Sequence, residues 1–416
     1  MIENIDKMNG WKIEELPNLV FFQEGPGVRN NQYTDSGVKL LNVANLKDGN
    51  VYLENTERYI SEDEAYGKYS HFLVDEGDLI IASSGIKVEY FDKKMGFAKK
   101  EHLPLCMNTS TIRFKTLDDK ILSIEYFAYF LKTNYFKKQI SRLITGSAQL
   151  NFGPSHLKQI KVILPPRDTQ NKIVEVLDKA QELIDKRKEQ IEALYELVKS
   201  RFIEMFGDPV LNPKGWDKYL CKDITLKIGS GATPKGGNSS YKEEGISLIR
   251  SMNVYNNKFV NKDLAFIDGE QAGKLKNVII EENDVLLNIT GASVARCCIV
   301  PNEYIPARVN QHVAIIRCKY ERILPSFLCY QLTNESYQKL LWDIATSGGA
   351  TREAITKQQI ESLEVIVPPI ELQNKFEYFV KQIDKLKFKM ETSLKELEDN
   401  FNSLMQKSFN GELFNQ

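Results

Sequence analysis

Val162-Ile163-Leu164-Pro165-Pro166 is followed four residues later by Gln170-Asn171-Lys172, and the arrangement returns as Val365-Ile366-Val367-Pro368-Pro369 with Gln373-Asn374-Lys375. The offset of 203 (369 − 166) then holds without gaps to Phe206 and Phe409. A chain that matches itself at a fixed interval is built from copies of one structural unit. Upstream the copies align with small gaps: Gly10-Trp11 with Gly215-Trp216, Gly37-Val38-Lys39-Leu40 with Gly245-Ile246-Ser247-Leu248, and Glu76-Gly77-Asp78-Leu79 with Glu282-Asn283-Asp284-Val285. Each copy is one globular segment followed by one helical segment.

The helical segments show in their periodicity. After Pro165-Pro166, apolar residues recur at Ile173, Leu177, Ala180, Ile184, Ile191, Leu194, Val198 and Met205, with spacings of three, four and their sums. The second copy places Phe376, Phe379, Ile383, Leu386, Met390, Leu394, Leu397, Phe401 and Leu404 in the same rhythm. Neither stretch holds an internal proline or glycine, and a double proline precedes each, as suits a helix start. A helix over 167–206 would be about 60 Å long. The globular segments instead carry short apolar runs, Val38 to Asn42, Asp78 to Ala82, Thr111 to Lys115, Ser247 to Arg250, Asp284 to Ile289 and Val313 to Cys318, between Gly, Asn, Ser and Asp clusters. Ile124 to Ile140 and Ser326 to Leu341 have helical spacing and are expected to pack on the resulting sheets.

Connectivity constrains the assembly. The second globular segment begins where the first helix ends and finishes where the second begins, while a compact domain of that size spans only about 40 Å. The expectation is an α/β chain of the α+β kind, with two tandem mixed-sheet domains, 1–166 and 209–369. Each is followed by a long helix, 167–208 and 370–416, and the helices pair as an antiparallel coiled coil with pseudo-twofold symmetry.

Composition narrows the function. The 416 residues are 42% hydrophobic and 27% charged, a globular balance that excludes a disordered tail protein. Lys and Arg number 55 against 56 Asp and Glu, so no global basic field advertises a polyanion partner, and any such site must be local or shared. The six cysteines, at 106, 221, 297, 298, 318 and 329, form no CxxC pair, and with four histidines they make a poor metal framework. Reduced thiols, no apolar run long enough to span a bilayer, and no leader-like N-terminus together lead to the expectation of a cytoplasmic protein without a membrane partner.

Enzyme motifs are missing where they would be diagnostic. Gly229-Ser230-Gly231-Ala232-Thr233-Pro234-Lys235-Gly236-Gly237 resembles a phosphate loop but lacks the Lys-Ser/Thr that would hold phosphate and magnesium. No Asp-Pro-Pro-Tyr or Asn-Pro-Pro-Tyr tetrapeptide is present to hold a flipped adenine, and no glycine fingerprint marks a methyl-donor site. Instead, amide, hydroxyl and guanidinium groups crowd the expected loops and strand ends. In the first unit these are Arg29, Asn31, Gln32, Tyr33, Asn45, Ser84, Lys87, Asn108 and Thr109. In the second they are Thr233, Lys235, Asn238, Tyr241, Arg250, Asn253, Tyr255, Asn288, Thr290, Arg296, Asn310, Gln311 and Arg352. Asn and Gln pair bidentately with adenine and Arg with guanine, so such loops suit groove readout, with lysines at 87, 93, 94, 99 and 100 for phosphates. Ordinary solvated turns account for the same residues equally well.

The sequence resembles the specificity subunits of type I restriction-modification enzymes over its whole length. The resemblance is carried by Leu164-Pro165-Pro166 with Gln170 and a helix ending Lys199-Ser200-Arg201-Phe202-Ile203-Glu204-Met205-Phe206-Gly207-Asp208. Its second copy runs from Pro368-Pro369 and Gln373 to Phe409. Gly231-Ala232-Thr233-Pro234, Asp284-Val285-Leu286-Leu287, Thr290-Gly291 and Asn310-Gln311 resemble the family's target recognition domain. The first unit departs from it, with Gly25-Pro26-Gly27-Val28-Arg29 and Asn108-Thr109 at the corresponding places. The resemblance implies a noncatalytic subunit whose two target recognition domains read the unlike halves of a bipartite double-stranded DNA site. It further implies two methyltransferase subunits that modify adenine and restriction/translocase subunits, with S-adenosylmethionine, ATP and Mg held by those partners and no cofactor in this chain. Ile173, Leu177, Ile184, Ile191, Leu194, Val198, Phe376, Ile383, Met390, Leu394, Leu397 and Phe401 would form the spacer and docking helices. The alternatives are the specificity chain of a methylation-only phage-defence system and a coiled-coil scaffold that binds protein.

Overall fold

The computed structural model describes residues 10–54, 56–144, 150–234, 236–347 and 353–414. The chain divides into two compact units, one of residues 1–186 with 393–416 and one of residues 187–392.

In the first unit an antiparallel sheet orders its strands Val20–Glu24, Thr111–Thr116, Leu79–Ala82, Met95–Phe97. Leu79-Ile80-Ile81-Ala82 is apolar at every position and buried at every position, as an inner strand covered on both faces must be. A second sheet centres on Val38–Leu41, parallel to Leu105–Met107 and antiparallel to Tyr59–Ile60. The second unit repeats both sheets. Thr225–Ser230, Val313–Cys318, Val285–Asn288 and Cys297–Ile299 form the first. Ala265–Ile267, Ile246–Ile249, Ala307–Val309 and Ile279–Ile280 form the other. The position of Ile279–Ile280 is held in the first unit by a single bridge between Leu73 and Cys106.

Each globular segment closes on itself. Lys12–Glu15 pairs antiparallel with Lys161–Leu164, and Lys218–Leu220 with Glu364–Ile366, so the first and last strands of each segment lie side by side. The Pro-Pro-x3-Gln signature has a physical meaning at this point. The fully buried Gln170 side chain accepts the Ser123 N–H at 2.9 Å and donates to the carbonyls of Ile121 (2.8 Å) and Pro165 (2.9 Å). Gln373, equally buried, accepts from Leu324 (2.9 Å) and donates to Arg322 (3.1 Å) and Pro368 (2.8 Å). One amide thus ties the start of each long helix to the loop before the core helices and satisfies three backbone groups that burial would otherwise strand.

The long helices run Arg167–Phe206 and Ile370–Phe409. Within the second unit, Phe202 and Phe206 meet Phe376 with ring centroids 5.5 and 5.6 Å apart, while Lys387 lies over Tyr195 at 4.3 Å. Rising numbers on one helix meet falling numbers on the other, so these stretches run antiparallel. Within the first unit, Ile173 and Leu177 share a core with Met405 and Phe409, and Phe409 stacks on Tyr126 at 5.1 Å.

Two expectations change. The stretches 124–140 and 326–341 are each two helices, Ile124–Lys132 with Asn134–Leu143 and Pro325–Leu332 with Glu335–Thr346. Thr133 and Asn334 cap the second member of each pair through their side chains, which interrupts the ladder that apolar spacing alone suggested. The seam residues expected to dock partners are turned inward. Ile173, Leu177, Ile184, Ile191, Val198, Phe376 and Ile383 are buried, and Leu194, Met390, Leu394, Leu397 and Phe401 are half-buried. The apolar side chains these helices expose are Leu183, Leu197, Ile203, Tyr378, Leu386 and Phe388. Among the described residues no helix is long and apolar enough to cross a membrane.

Candidate nucleic-acid interface

The tips of both units are built on the same asparagine-held turn. Asn45 accepts the Asn42 N–H at 2.8 Å and donates to the Tyr52 carbonyl at 2.9 Å and to the Thr56 hydroxyl at 2.6 Å. Asn253 accepts the Arg250 N–H at 3.1 Å and donates to the carbonyls of Val260 (2.9 Å) and Lys262 (3.2 Å). Both asparagines are buried and committed, so they hold a turn and do not face a groove.

The same correction applies to other expected contacts. Asn108, 2% exposed, donates to Asn42 at 3.1 Å and accepts the N–H groups of Val28 (3.2 Å) and Thr109 (2.8 Å). Gln32 donates to Glu64 at 2.9 Å and to the Tyr69 hydroxyl at 3.0 Å, and accepts the Arg29 N–H at 3.1 Å. Asn288, fully buried, donates to the Ser251 carbonyl at 2.9 Å. A polar residue type in a loop does not tell whether its groups are spent on neighbours within the fold, as most are here; among the described residues Asn288 Oδ1 is buried without a partner.

Other candidates face outward. Arg29, Asn31, Lys87 and Thr109 are exposed in the first unit, and Tyr33 and Ser84 are half-buried there. The first tip also holds Glu24, which the sequence reading did not select. Burial lifts its carboxyl above the ordinary carboxylate range, and the matching residue before Gly231 in the second unit is Ser230.

In the second unit several candidates converge into one hydrogen-bonded chain. The Thr233 hydroxyl donates to Gln311 Oε1, Gln311 Nε2 lies 3.0 Å from His312 Nε2, and His312 Nδ1 meets the Thr290 hydroxyl. An amide nitrogen can only donate, so His312 Nε2 accepts and Nδ1 carries the ring proton in the neutral imidazole. Thr290 then keeps its hydroxyl hydrogen for an outside acceptor. Asn310, 5% exposed, supports the chain by accepting the His312 N–H at 3.0 Å. Gly231 is required for close approach, because a Cβ there would fall 1.7 Å from the Val309 carbonyl oxygen. The phosphate-loop look of 229–237 thus has a packing cause in its second glycine.

Beside this chain Arg250 is half-buried, its guanidinium 5.4 Å above the half-buried Tyr241 ring and donating to the Asp263 carbonyl. Arg296 sits 4.5 Å over the exposed ring of Tyr255. Lys235, Arg352 and the side chain of Asn238 lie outside the described residues. His312 is the residue that joins the chain, and its place directly after Asn310-Gln311 is the sequence signal for it. Among the described residues no cluster of three or more His, Cys, Asp or Glu could hold a metal ion. All six cysteines are buried and free, and burial pushes the thiols of Cys106 and Cys221 up to about 12.

Comparison with known proteins gives these tips a context. Residues 8–193 and 213–399 each match the type I restriction modification DNA specificity domain. The type I restriction enzyme MjaVIII specificity subunit of Methanocaldococcus jannaschii is 30% identical over 410 residues, covering 92% of this chain and 90% of that one. A solved S subunit of a type I restriction-modification system from M. genitalium superposes with a TM-score of 0.52 at 16% identity, over 97% of both chains. A solved chain from a study of complex assembly and conformational transition of the type I R-M system reaches 0.58 at 16% identity, over 97% of this chain and 99% of that one.

Proposed function

The chain belongs to the type I restriction-modification DNA specificity family, and we propose that its two units read the two unlike halves of an interrupted double-stranded DNA site. In this reading the chain is noncatalytic and cytoplasmic. It directs methyltransferase subunits to adenines in the site and restriction/translocase subunits to unmodified DNA, and those partners hold S-adenosylmethionine, ATP and Mg. The long helices act as spacer between half-sites and as dock, through exposed side chains such as Leu197, Tyr378 and Phe388 and not through the buried seam.

The observation that carries the reading is a duplicated scaffold with unlike tips. Glu24, Asn42 and Thr109 stand in the first unit where Ser230, Arg250 and Gln311 stand in the second. Identical readers would bind a symmetric site; these offer different donors and acceptors, so the half-sites should differ. Sequencing methylated adenines in cells with and without the chain tests the function. Exchange of residues 1–160 for the equivalent segment of another family member should then change one half-site and leave the other intact. Loss of both, or a methylation pattern that does not depend on the chain, would reject the reading in favour of a protein-binding scaffold.

A further inference from the structure

The first unit carries a hollow between the turn Val88–Lys93 and the helix Asn134–Leu143, lined by Val88, Asn134, Lys137, Lys138, Ser141 and Arg142. Phe91 and Phe136, with ring centroids 5.3 Å apart, anchor the turn to the helix from below. Lys137 is already paired with Asp92 at 3.0 Å. Lys138 and Arg142 are exposed, one helical turn apart on the same face as Asn134, and no carboxylate among the described residues pairs with either. Lys87 lies at the start of the same turn, beside the strand Ser84–Ile86 at the tip.

The second unit provides an internal control. Its helix Glu335–Thr346 is the same element, with Tyr337 and Leu341 buried where Phe136 and Ile140 are buried in the first. At this offset of 201 (337 − 136), Glu335 replaces Asn134, Lys339 matches Lys138 and Asp343 replaces Arg142. The first helix carries three cations and no carboxylate, the second one cation and two carboxylates. The fold needs the buried pair and is indifferent to the outer face, so the fold itself does not call for this difference in charge.

We propose that Lys138 and Arg142 form a phosphate-binding site for the DNA backbone flanking the first half-site, a grip that the second unit lacks. Two exposed cations one helical turn apart, with no carboxylate partner among the described residues, suit the phosphates of a DNA strand and carry no sequence information. The inference rests on the DNA-reading function proposed above.

The test uses the complex assembled with its methyltransferase partners and two duplexes, one containing the methylated motif and one lacking it. Dissociation constants are measured from 50 to 200 mM salt. Lys138→Gln with Arg142→Gln should lower the slope of log K against log salt by about 1.8, from about 0.9 per phosphate. Over that fourfold range, the variant's affinity should fall about 12-fold less than the parent's. The change should be equal on both duplexes, and the methylated sequence should stay the same. Arg142→Gln alone should lower the slope by about 0.9 and carries the test if the double variant does not assemble. An unchanged slope would overturn the proposal, as would an altered methylated sequence, which would make these residues base readers. If the parent complex itself showed neither sequence preference nor salt dependence, the DNA-reading function would fall with it; a salt-dependent parent with an unaffected variant removes this inference alone.

Discussion

Gln170 and Gln373 make the same three hydrogen bonds, and Asn45 and Asn253 hold the same turn, yet outside those clamps the two units diverge. Thr233, Gln311, His312 and Thr290 form a connected chain at the second tip. At the first tip, the exposed Thr109 stands where Gln311 does, and Glu24 stands where Ser230 does. Buried polar groups must be satisfied wherever the fold repeats, so their partners repeat with it. Exposed groups carry no such obligation and are free to follow a ligand. On the function proposed above, the division between like clamps and unlike tips is the division between folding and reading.

The strongest way to break this comparison is through a clamp that is not equal in the two units. Arg317 binds the fully buried Asp284 through two nitrogens, each at 2.8 Å, whereas Arg113 reaches Asp78 through one contact at 3.4 Å and spends its other terminal nitrogen on the His71 carbonyl and Gln23. Asp284→Ala leaves Arg317 with Glu281 as its remaining ionic partner and should destabilise the second unit by about 3 kcal/mol, the lower end for a broken buried pair. Asp78→Ala should cost the first unit less. Hydrogen exchange resolved by unit measures both, and equal losses would show that the two pairs are energetically alike.

Next in size are the glutamine clamps. Gln170→Ala and Gln373→Ala should each cost about 1 to 3 kcal/mol, because each strands buried backbone groups, and the two costs should agree. Denaturant unfolding of the two variants checks this, and a twofold disagreement would mean that the repeat in geometry is not a repeat in energy.

The tips are probed by smaller changes. His312→Ala removes the joint between Gln311 and Thr290 and should weaken binding of the assembled complex to its own site by about 1 to 3 kcal/mol, with little effect on unrelated DNA. Relaxed methylation confined to one half-site is the expected pattern; loss on all DNA alike would assign the chain of residues to folding.

The smallest effect concerns Glu24. Its carboxyl is lifted above the usual 4.5 by burial, so the folded state favours the protonated form. That contribution is fully present below the unfolded-state value and is lost as pH rises through the folded-state value. Glu24→Gln should flatten the dependence of first-unit stability on pH just above 4.5, with no matching effect from Ser230→Ala. Thermal unfolding between pH 4 and pH 7, near the carboxylate range, would show it.

How much of this was legible beforehand depends on the residue. Arg250 and Arg296 were selected as side chains able to reach bases, and each lies against an aromatic ring, at Tyr241 and Tyr255 respectively. Asn45, Asn108, Asn253 and Asn288 were selected by the same logic and are interior. Composition could not separate the groups, since an amide has the same chemistry whether it meets a base edge or a backbone carbonyl. Lys138 falls within Ile124 to Ile140, which reads as core from its apolar spacing, and Arg142 lies just beyond that stretch.

The duplication, the long helices and the short strands were determined by the sequence itself, because apolar periodicity and a repeated Pro-Pro-x3-Gln are local patterns that burial enforces at every copy. Which polar side chains are spent inside and which remain for a ligand was decided only in the tertiary structure. A hydrogen-bonding group is satisfied by neighbours distant in the chain: Asn108 by Val28 and Asn42, Gln311 by Thr233, Gln373 by Leu324. Those distances are set by the sheets and not by any spacing along the sequence.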